Sequence, residues 1–375
     1  MSDAEALARK IFREYYRRTE VEPPSRLLER EFGFVLFGSK GMIRHVSFKS
    51  AMEMNAFLRS RYPKHVYYSS AYYEKPNAER MDEKGWKGAD LIFDIDVDHI
   101  YTPCKELHDR WVCRNCGAEG WGFVLKCPKC GSERISRKTW VCDTCIAVSR
   151  DELLKLIEFL EDDFGISEDE MYAVFSGHRG FHLHVEKEAL REMGQDARRE
   201  ISDYVRGVGI VPELFLVKKG RRYTYKYDVN TPGWPGRIAR YLLFKYSGES
   251  SALDSLEFPL NVWKKIFDEA VSDGKSEIDE KVTIDVKRLI RLPGSLHGKT
   301  GMKVMKIDIK ELEQVDVLKK AVIAGDEEVV VRMEKPPKKV LWYTLDPGRE
   351  EFRAPLHLAL YLALNGGAQL VRVAR

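Results

Sequence analysis

The sequence predicts an α/β fold that carries an inserted metal-binding segment, and three observations carry that reading. Runs such as LIFDIDVD (Leu91–Asp98) and the pair within MYAVFSGHRGFHLHVE alternate apolar and polar residues, as half-buried strands do. SRDELLKLIEFLEDDFG instead spaces Leu153, Leu156, Ile157 and Leu160 along one helical stripe. All seven cysteines fall between Cys104 and Cys145, mostly as Cys-x-x-Cys pairs. Clustering of that kind reads as metal ligation rather than as a disulfide framework.

Taken in order, residues 1–30 read as one or two helices, the second opened by Pro23-Pro24-Ser25. Arg30–Phe48 reads as a β-hairpin, two apolar runs around Gly38-Ser39-Lys40-Gly41. Ser50–Tyr62 is helical in pattern, and the aromatic run His65–Pro76 is strand-like. The cysteine-rich stretch occupies 101–148. Ser149 and Glu152 after it form a capping box for the helix of Asp151–Asp163. Residues of about 190–280 look mostly helical and include the basic stretch Lys218–Lys226, KKGRRYTYK. Its cations and tyrosines suit single-stranded nucleic acid, or equally a solvated loop anchored by its rings. Thr283–Gly301 follows, then the strand-like KVMKIDI. Past Lys335-Pro336-Pro337, the apolar LHLALYLAL predicts a buried helix. The expected organisation is one main domain over 1–345, with the cysteine segment and the helical subdomain inside it, and a C-terminal helical segment over 346–375.

At 375 residues the chain suits one large domain, or one with an insertion. No apolar run reaches the roughly 18 residues of a membrane span. The charged start lacks a secretory pattern, so a cytoplasmic location is expected. Lys and Arg number 62 against 59 Asp and Glu, a net charge of +3, so bulk charge argues neither for nor against nucleic acid.

The acidic strand is the first candidate site. If Leu91, Phe93, Ile95 and Val97 face a core, Asp94, Asp96 and Asp98 share the opposite face. Like charges on one sheet face repel. A pair of hard cations such as Mg²⁺ or Mn²⁺ would relieve that repulsion and support phosphoryl transfer. The turn VFSGHRGFHLHV is the second. It offers Arg179 as a planar fork for phosphate oxygens, with Ser176 and His182 as hydrogen-bonding partners and Gly177 and Gly180 for close approach. Taken alone it could equally be an ordinary polar hairpin tip, and a His182/His184 metal pair lacks further ligands. The third is DVKRLIRLPGSLHGKTG. Asp285 is a further carboxylate there, followed by Arg291 and His297, whereas Arg288 and Lys299 read as solvated surface charges.

These three motifs in this order resemble the small catalytic subunit of archaeal and eukaryotic DNA primases. REFGF, IRHVSF and YYSSAYY also resemble that family's N-terminal part, and the similarity spans most of residues 5–310. The resemblance implies the two-layer α/β primase fold. It implies that Asp94, Asp96 and Asp285 hold two divalent metals, and that Ser176, Arg179, His182, Arg291 and His297 bind the nucleotide. It also implies nucleoside triphosphates, a single-stranded DNA template and a large primase subunit as partners. His178 stands where the family often has arginine, His184 where it often has tryptophan, and the cysteine region is longer than usual.

Seven cysteines and His108 supply ligands for two tetrahedral zinc sites, and spacing alone fits a sequential or an interleaved pairing. The resemblance favours interleaving. The family's knuckle falls on Cys104, His108, Cys142 and Cys145, with Cys113, Cys116, Cys127 and Cys130 as a zinc ribbon inserted within it. Trp121 and Phe123 of that ribbon could touch DNA or simply pack. Two rival functions share parts of this pattern: a primase-fold polymerase for repair or gap filling, and a non-catalytic zinc module that binds nucleic acid.

Overall fold

The acidic strand, Leu91–Asp96, forms one edge of a four-stranded antiparallel sheet, followed by Gly180–Val185, Met171–Phe175 and Met305–Ile307. A second antiparallel sheet runs Leu289–Arg291, His65–Ser69, Phe32–Val35, Met42–Val46. The computed structural model describes residues 3–247, 253 and 255–373. Residues 1 and 2, parts of the expected helical subdomain (248–252 and 254) and 374 and 375 of the C-terminal segment lie outside the described residues. Among the described residues no helix is long and apolar enough to cross a membrane.

Each sheet buries one face under helices. Leu91, Phe93 and Ile95 of the acidic strand, with Phe181, Leu183 and Val185, share a core with Leu153, Leu156, Ile157 and Leu160 of the helix Asp143–Asp162. Period two therefore meets period 3.6 as the sequence pattern requires. The other sheet packs Phe32, Phe34 and Val66 against Phe12 and Tyr16 of helix Asp3–Arg18 and Met54 and Leu58 of helix Ala51–Arg61. Ile92 joins this second core, and the rings of Tyr68 and His184 stack at 6.4 Å, so the remaining face of the first sheet meets the core of the second.

Several local expectations change. The helix expected from Asp151 begins at Asp143, with Cys142 as its N-cap residue. Ser149 and Glu152 are consequently interior and buried. The Ser149 hydroxyl donates to the Ile146 carbonyl at 3.0 Å, and the Glu152 carboxylate accepts from the Glu277 N–H at 2.9 Å. The helix expected after Pro23-Pro24 is a single 3-10 turn, Leu27–Glu29. The region of 190–280 holds helices Gln195–Val205, Trp234–Leu242 and Leu260–Gly274, but also strands Leu216–Lys219, Arg222–Tyr225 and Glu257–Phe258. KKGRRYTYK is thus largely a hairpin, and Tyr225 is buried against Trp263 rather than free to stack on bases. The C-terminal segment contains the buried helix Leu356–Gly366. It also adds strands Glu351–Pro355 and Gln369–Val373 on either side of Glu328–Arg332, so a boundary at 345 would cut through a sheet.

Candidate active site

Because Leu91, Phe93 and Ile95 are committed to the core, Asp94 and Asp96 must face the other sheet. A cavity of about 370 Å³ opens there. The acidic sheet and its turn contribute Asp94, Asp96, Asp98, Ser176, His178 and His182 to its wall. The opposite sheet and the segment after it contribute Tyr67, Arg288, Arg291, His297 and Lys299. Arg288 and Lys299, read from sequence as solvated, belong to this wall.

Strand register places the polar groups. His182 pairs directly with Asp94, its Nε2 3.6 Å from Oδ1, and Gly180 pairs with Asp96. At Gly180 a Cβ would stand 1.9 Å from the Ile95 carbonyl oxygen, so only glycine lets the turn lie against the acidic strand. Past Asp96 the strand gives way to a 3-10 turn, Val97–His99, and Asp98 donates its N–H to Asp96 Oδ1 at 2.9 Å.

The third carboxylate beside this pair is Asp279, not Asp285. Asp279 caps the short helix Glu280–Ile284, accepting from the Lys281 N–H at 3.0 Å, and donates its own N–H to the Asp94 carbonyl at 2.8 Å. Burial, then the charges of Asp96 and Asp279, push the Asp94 carboxyl up to about 7, partly offset by Arg288 and Arg291. Asp285 stands at the far end of that helix, about 9 Å along its axis at the usual rise. It is not in the cavity wall, and its carboxylate accepts from the Lys287 N–H at 2.9 Å in a turn. Sequence reading chose the acid inside the recognised motif. The signal for Asp279 was its position as an N-cap before a short helix.

Arg179 also departs from expectation. Its side chain is fully buried, with Nη1 3.1 Å from Asp98 and 3.0 Å from Asp109, and it is not part of the cavity wall. The turn therefore presents Ser176 and His178 to the cavity, while its arginine is held behind the wall between Asp98 and Asp109. The remaining expected groups, His182, Arg291 and His297, do come together. Arg291 Nη1 donates to His65 Nδ1 at 2.8 Å, and the guanidinium lies 5.1 Å from the Tyr67 ring centre. His297 stacks on His178 at 5.2 Å. Burial, reinforced by nearby cations, pushes His65, His178 and His182 each down to about 3, and His297 well below its ordinary value. At neutral pH these rings are uncharged hydrogen-bonding groups, and Arg288, Arg291 and Lys299 supply the positive charge.

The cysteine segment resolves into the interleaved arrangement. Cys104, His108, Cys142 and Cys145 form one cluster and Cys113, Cys116, Cys127 and Cys130 the other, the ligand atoms of each lying within 4.8 Å of one another. Either set can hold a zinc ion. The antiparallel strands Arg110–Cys113 and Ile135–Lys138 close the inserted loop and so bring the outer ligands back together. The first cluster lies in the main core, the second in a small core of its own with Trp111. Arg110 covers the Trp121 ring, and Lys105 and Arg137 flank Phe123, so these rings are packed by the protein's own cations.

The family model for the DNA primase small subunit matches residues 129–307. The DNA primase small subunit PriS of Methanothrix thermoacetophila is 34% identical over 96% of this chain and 98% of its own length. The chain belongs to the DNA primase small subunit family. Relatives of the same name from Nitrosopumilus maritimus and Thermoplasma volcanium are 35% and 33% identical, over 86% and 96% of this chain and the same shares of their own. The primase family model includes the 176–180 turn, Asp279, Arg291 and His297. The full-length primase relatives extend the similarity across the acidic strand.

Proposed function

We propose that this cavity joins a nucleoside triphosphate to a growing chain end, making the chain the catalytic subunit of a primase that starts short primers on single-stranded DNA. One observation carries the reading: Asp94 and Asp96 meet three cationic side chains in one cavity, and Asp279, from a distant segment, lies close enough to Asp94 to raise its proton affinity. Burial first, and then the neighbouring charges of Asp96 and Asp279, raise the proton affinity of Asp94 despite Arg288 and Arg291, and a hard cation bound by these oxygens would relieve that cost. Bound by these carboxylates, Mg²⁺ or Mn²⁺ would lower the pKa of the attacking 3′-hydroxyl and neutralise the departing pyrophosphate.

The chain's own groups divide the remaining work. Arg288, Arg291 and Lys299 balance the triphosphate charge, Arg291 with a fork whose second face is steadied by His65. His178, His182, His297 and Ser176 hydrogen-bond phosphate oxygens without adding charge. His182, held across from Asp94 by strand register, fixes the nucleotide against the acids. At initiation a second nucleotide provides the hydroxyl. Both cysteine clusters fit structural zinc, since protein ligands fill all four positions. The two sheets flanking the cavity support the two-layer fold expected of the family, and a large primase subunit and a cytoplasmic setting complete the reading. The test is synthesis on unprimed single-stranded DNA, with ribonucleotides and deoxynucleotides in turn, with Mn²⁺ present or chelated. Products that need the metal but no primer support it. Extension of pre-primed templates alone would assign gap filling instead.

A further inference from the structure

A continuous chain of polar contacts runs from the outer cysteine cluster to the acidic strand. His108 turns Nε2 toward Cys145 Sγ at 3.3 Å, and its Nδ1 lies 2.7 Å from Asp109 Oδ1. That contact leaves the Nε2 lone pair directed at the thiols, the arrangement by which a carboxylate orients a metal-bound histidine. Asp109 Oδ1 also accepts from the Trp140 N–H at 3.1 Å. Both Asp109 oxygens receive Arg179 Nη1, at 3.2 and 3.0 Å. The same Nη1 is 3.1 Å from Asp98, whose N–H donates to Asp96. Arg179 Nε and Nη2 are buried and have no hydrogen-bond partner among the described residues, so the guanidinium is held by these two carboxylates alone. Asp109 is thus shared between His108 and the arginine of the nucleotide-side turn.

We propose that Asp109 is a positioning residue that couples the Cys104/His108/Cys142/Cys145 metal centre to the catalytic cavity through Arg179 and Asp98. The inference rests on the reading of that cavity as a nucleotide site. Anything that changes the charge balance around Asp96 and Asp98 is felt by Arg179, and through Asp109 by the His108 imidazole. Coupling is reciprocal: if metal at the cluster favours nucleotide binding, nucleotide must favour the metal geometry by the same factor. Among the described residues the inner cluster of Cys113, Cys116, Cys127 and Cys130 has no such chain, and it serves as an internal constant.

The test replaces the bound metals by Co²⁺ in the full chain and follows the thiolate–cobalt absorption while Mg²⁺ and a nucleoside triphosphate are added. Nucleotide binding is measured on the same sample by calorimetry. The wild type is expected to show a band shift that saturates with nucleotide. Asp109→Asn is expected to lose the shift and to give up one metal to a chelator about 10- to 100-fold more readily, the range for partners that orient metal ligands. If Asp109→Asn does not fold, Arg179→Lys serves: it leaves the His108–Asp109 pair intact, so metal retention should stay at the wild-type level while the shift disappears. A shift that persists in either variant, or a wild type that binds nucleotide without any shift, overturns the coupling. A wild type that binds no nucleotide overturns the cavity reading and this inference with it.

Discussion

The backbone N–H of Asp279 donates to the carbonyl oxygen of Asp94 across 2.8 Å, tying the cap of a short helix to the middle of the acidic strand. That contact brings the Asp279 carboxylate close enough to raise the proton affinity of Asp94. Asp279→Asn should therefore reduce nucleotide incorporation by more than about 100-fold, beyond what loss of a mere orienting partner costs. Asp285→Asn preserves the acceptor for the Lys287 N–H and should stay within about twofold of wild type, as a surface substitution does. Incorporation assays with Mn²⁺ on the two variants decide between the acids, and the opposite ranking would refute the assignment.

Arg291 lines the cavity with one nitrogen committed to His65 and its plane near Tyr67. Lysine keeps the charge but loses the fork. Arg291→Lys should raise the nucleotide KM about 10- to 100-fold, the equivalent of one hydrogen bond to a charged group, with a smaller effect on kcat. A variant with unchanged KM and reduced kcat would show that Arg291 does not hold the ground-state nucleotide.

The two cysteine clusters sit in different cores, which predicts different consequences of losing a ligand. Cys127→Ser should remove one metal while leaving the main melting transition near wild type. Cys142→Ser removes a ligand at the head of the helix Asp143–Asp162, within the principal core. It should destabilise the whole protein, because structural zinc binding is worth about 10 kcal/mol or more of folding free energy. Metal analysis together with thermal melting reads both effects. Equal loss of melting temperature in the two variants would contradict the separation.

His184 is buried between Tyr68 and Tyr172, with His182, Arg30 and Lys306 as its charged or titratable neighbours, and burial holds its pKa well below the ordinary value. Its folded pKa lies below its unfolded one, so the unfolded state takes up the extra proton as pH falls below about 6.5. Stability from this group is complete above that pH and declines below it, by about 1.4 kcal/mol per pH unit for one proton. His184→Phe should flatten the fall of unfolding free energy between pH 6 and 5 by about that amount. Denaturant melts at the two pH values measure it, and an unchanged slope would show that His184 does not titrate in this way.

Much of the site was legible locally. Alternation in LIFDIDVD assigns Asp94 and Asp96 to the face away from the core, because a strand has no other choice once its apolar residues are buried. The glycines of SGHRG mark a tight turn for the same local reason. The capping signature at Ser149 and Glu152 misled, because two ligands of the outer cluster, Cys142 and Cys145, draw the helix start back by eight residues.

By itself, then, the sequence determined which chemistry is present: an acidic strand end, a glycine turn, a basic motif and eight metal ligands, all encoded over a few residues through periodicity and spacing. Tertiary structure alone decided which charges meet. Asp279 rather than Asp285 joins Asp94 because the helix between them packs with its N-terminus at the acidic strand, and Arg179 turns inward because Asp109, 70 residues earlier, lies within reach. Electrostatic and hydrogen-bonding partners are selected by distance through space, and chain order carries no record of that distance.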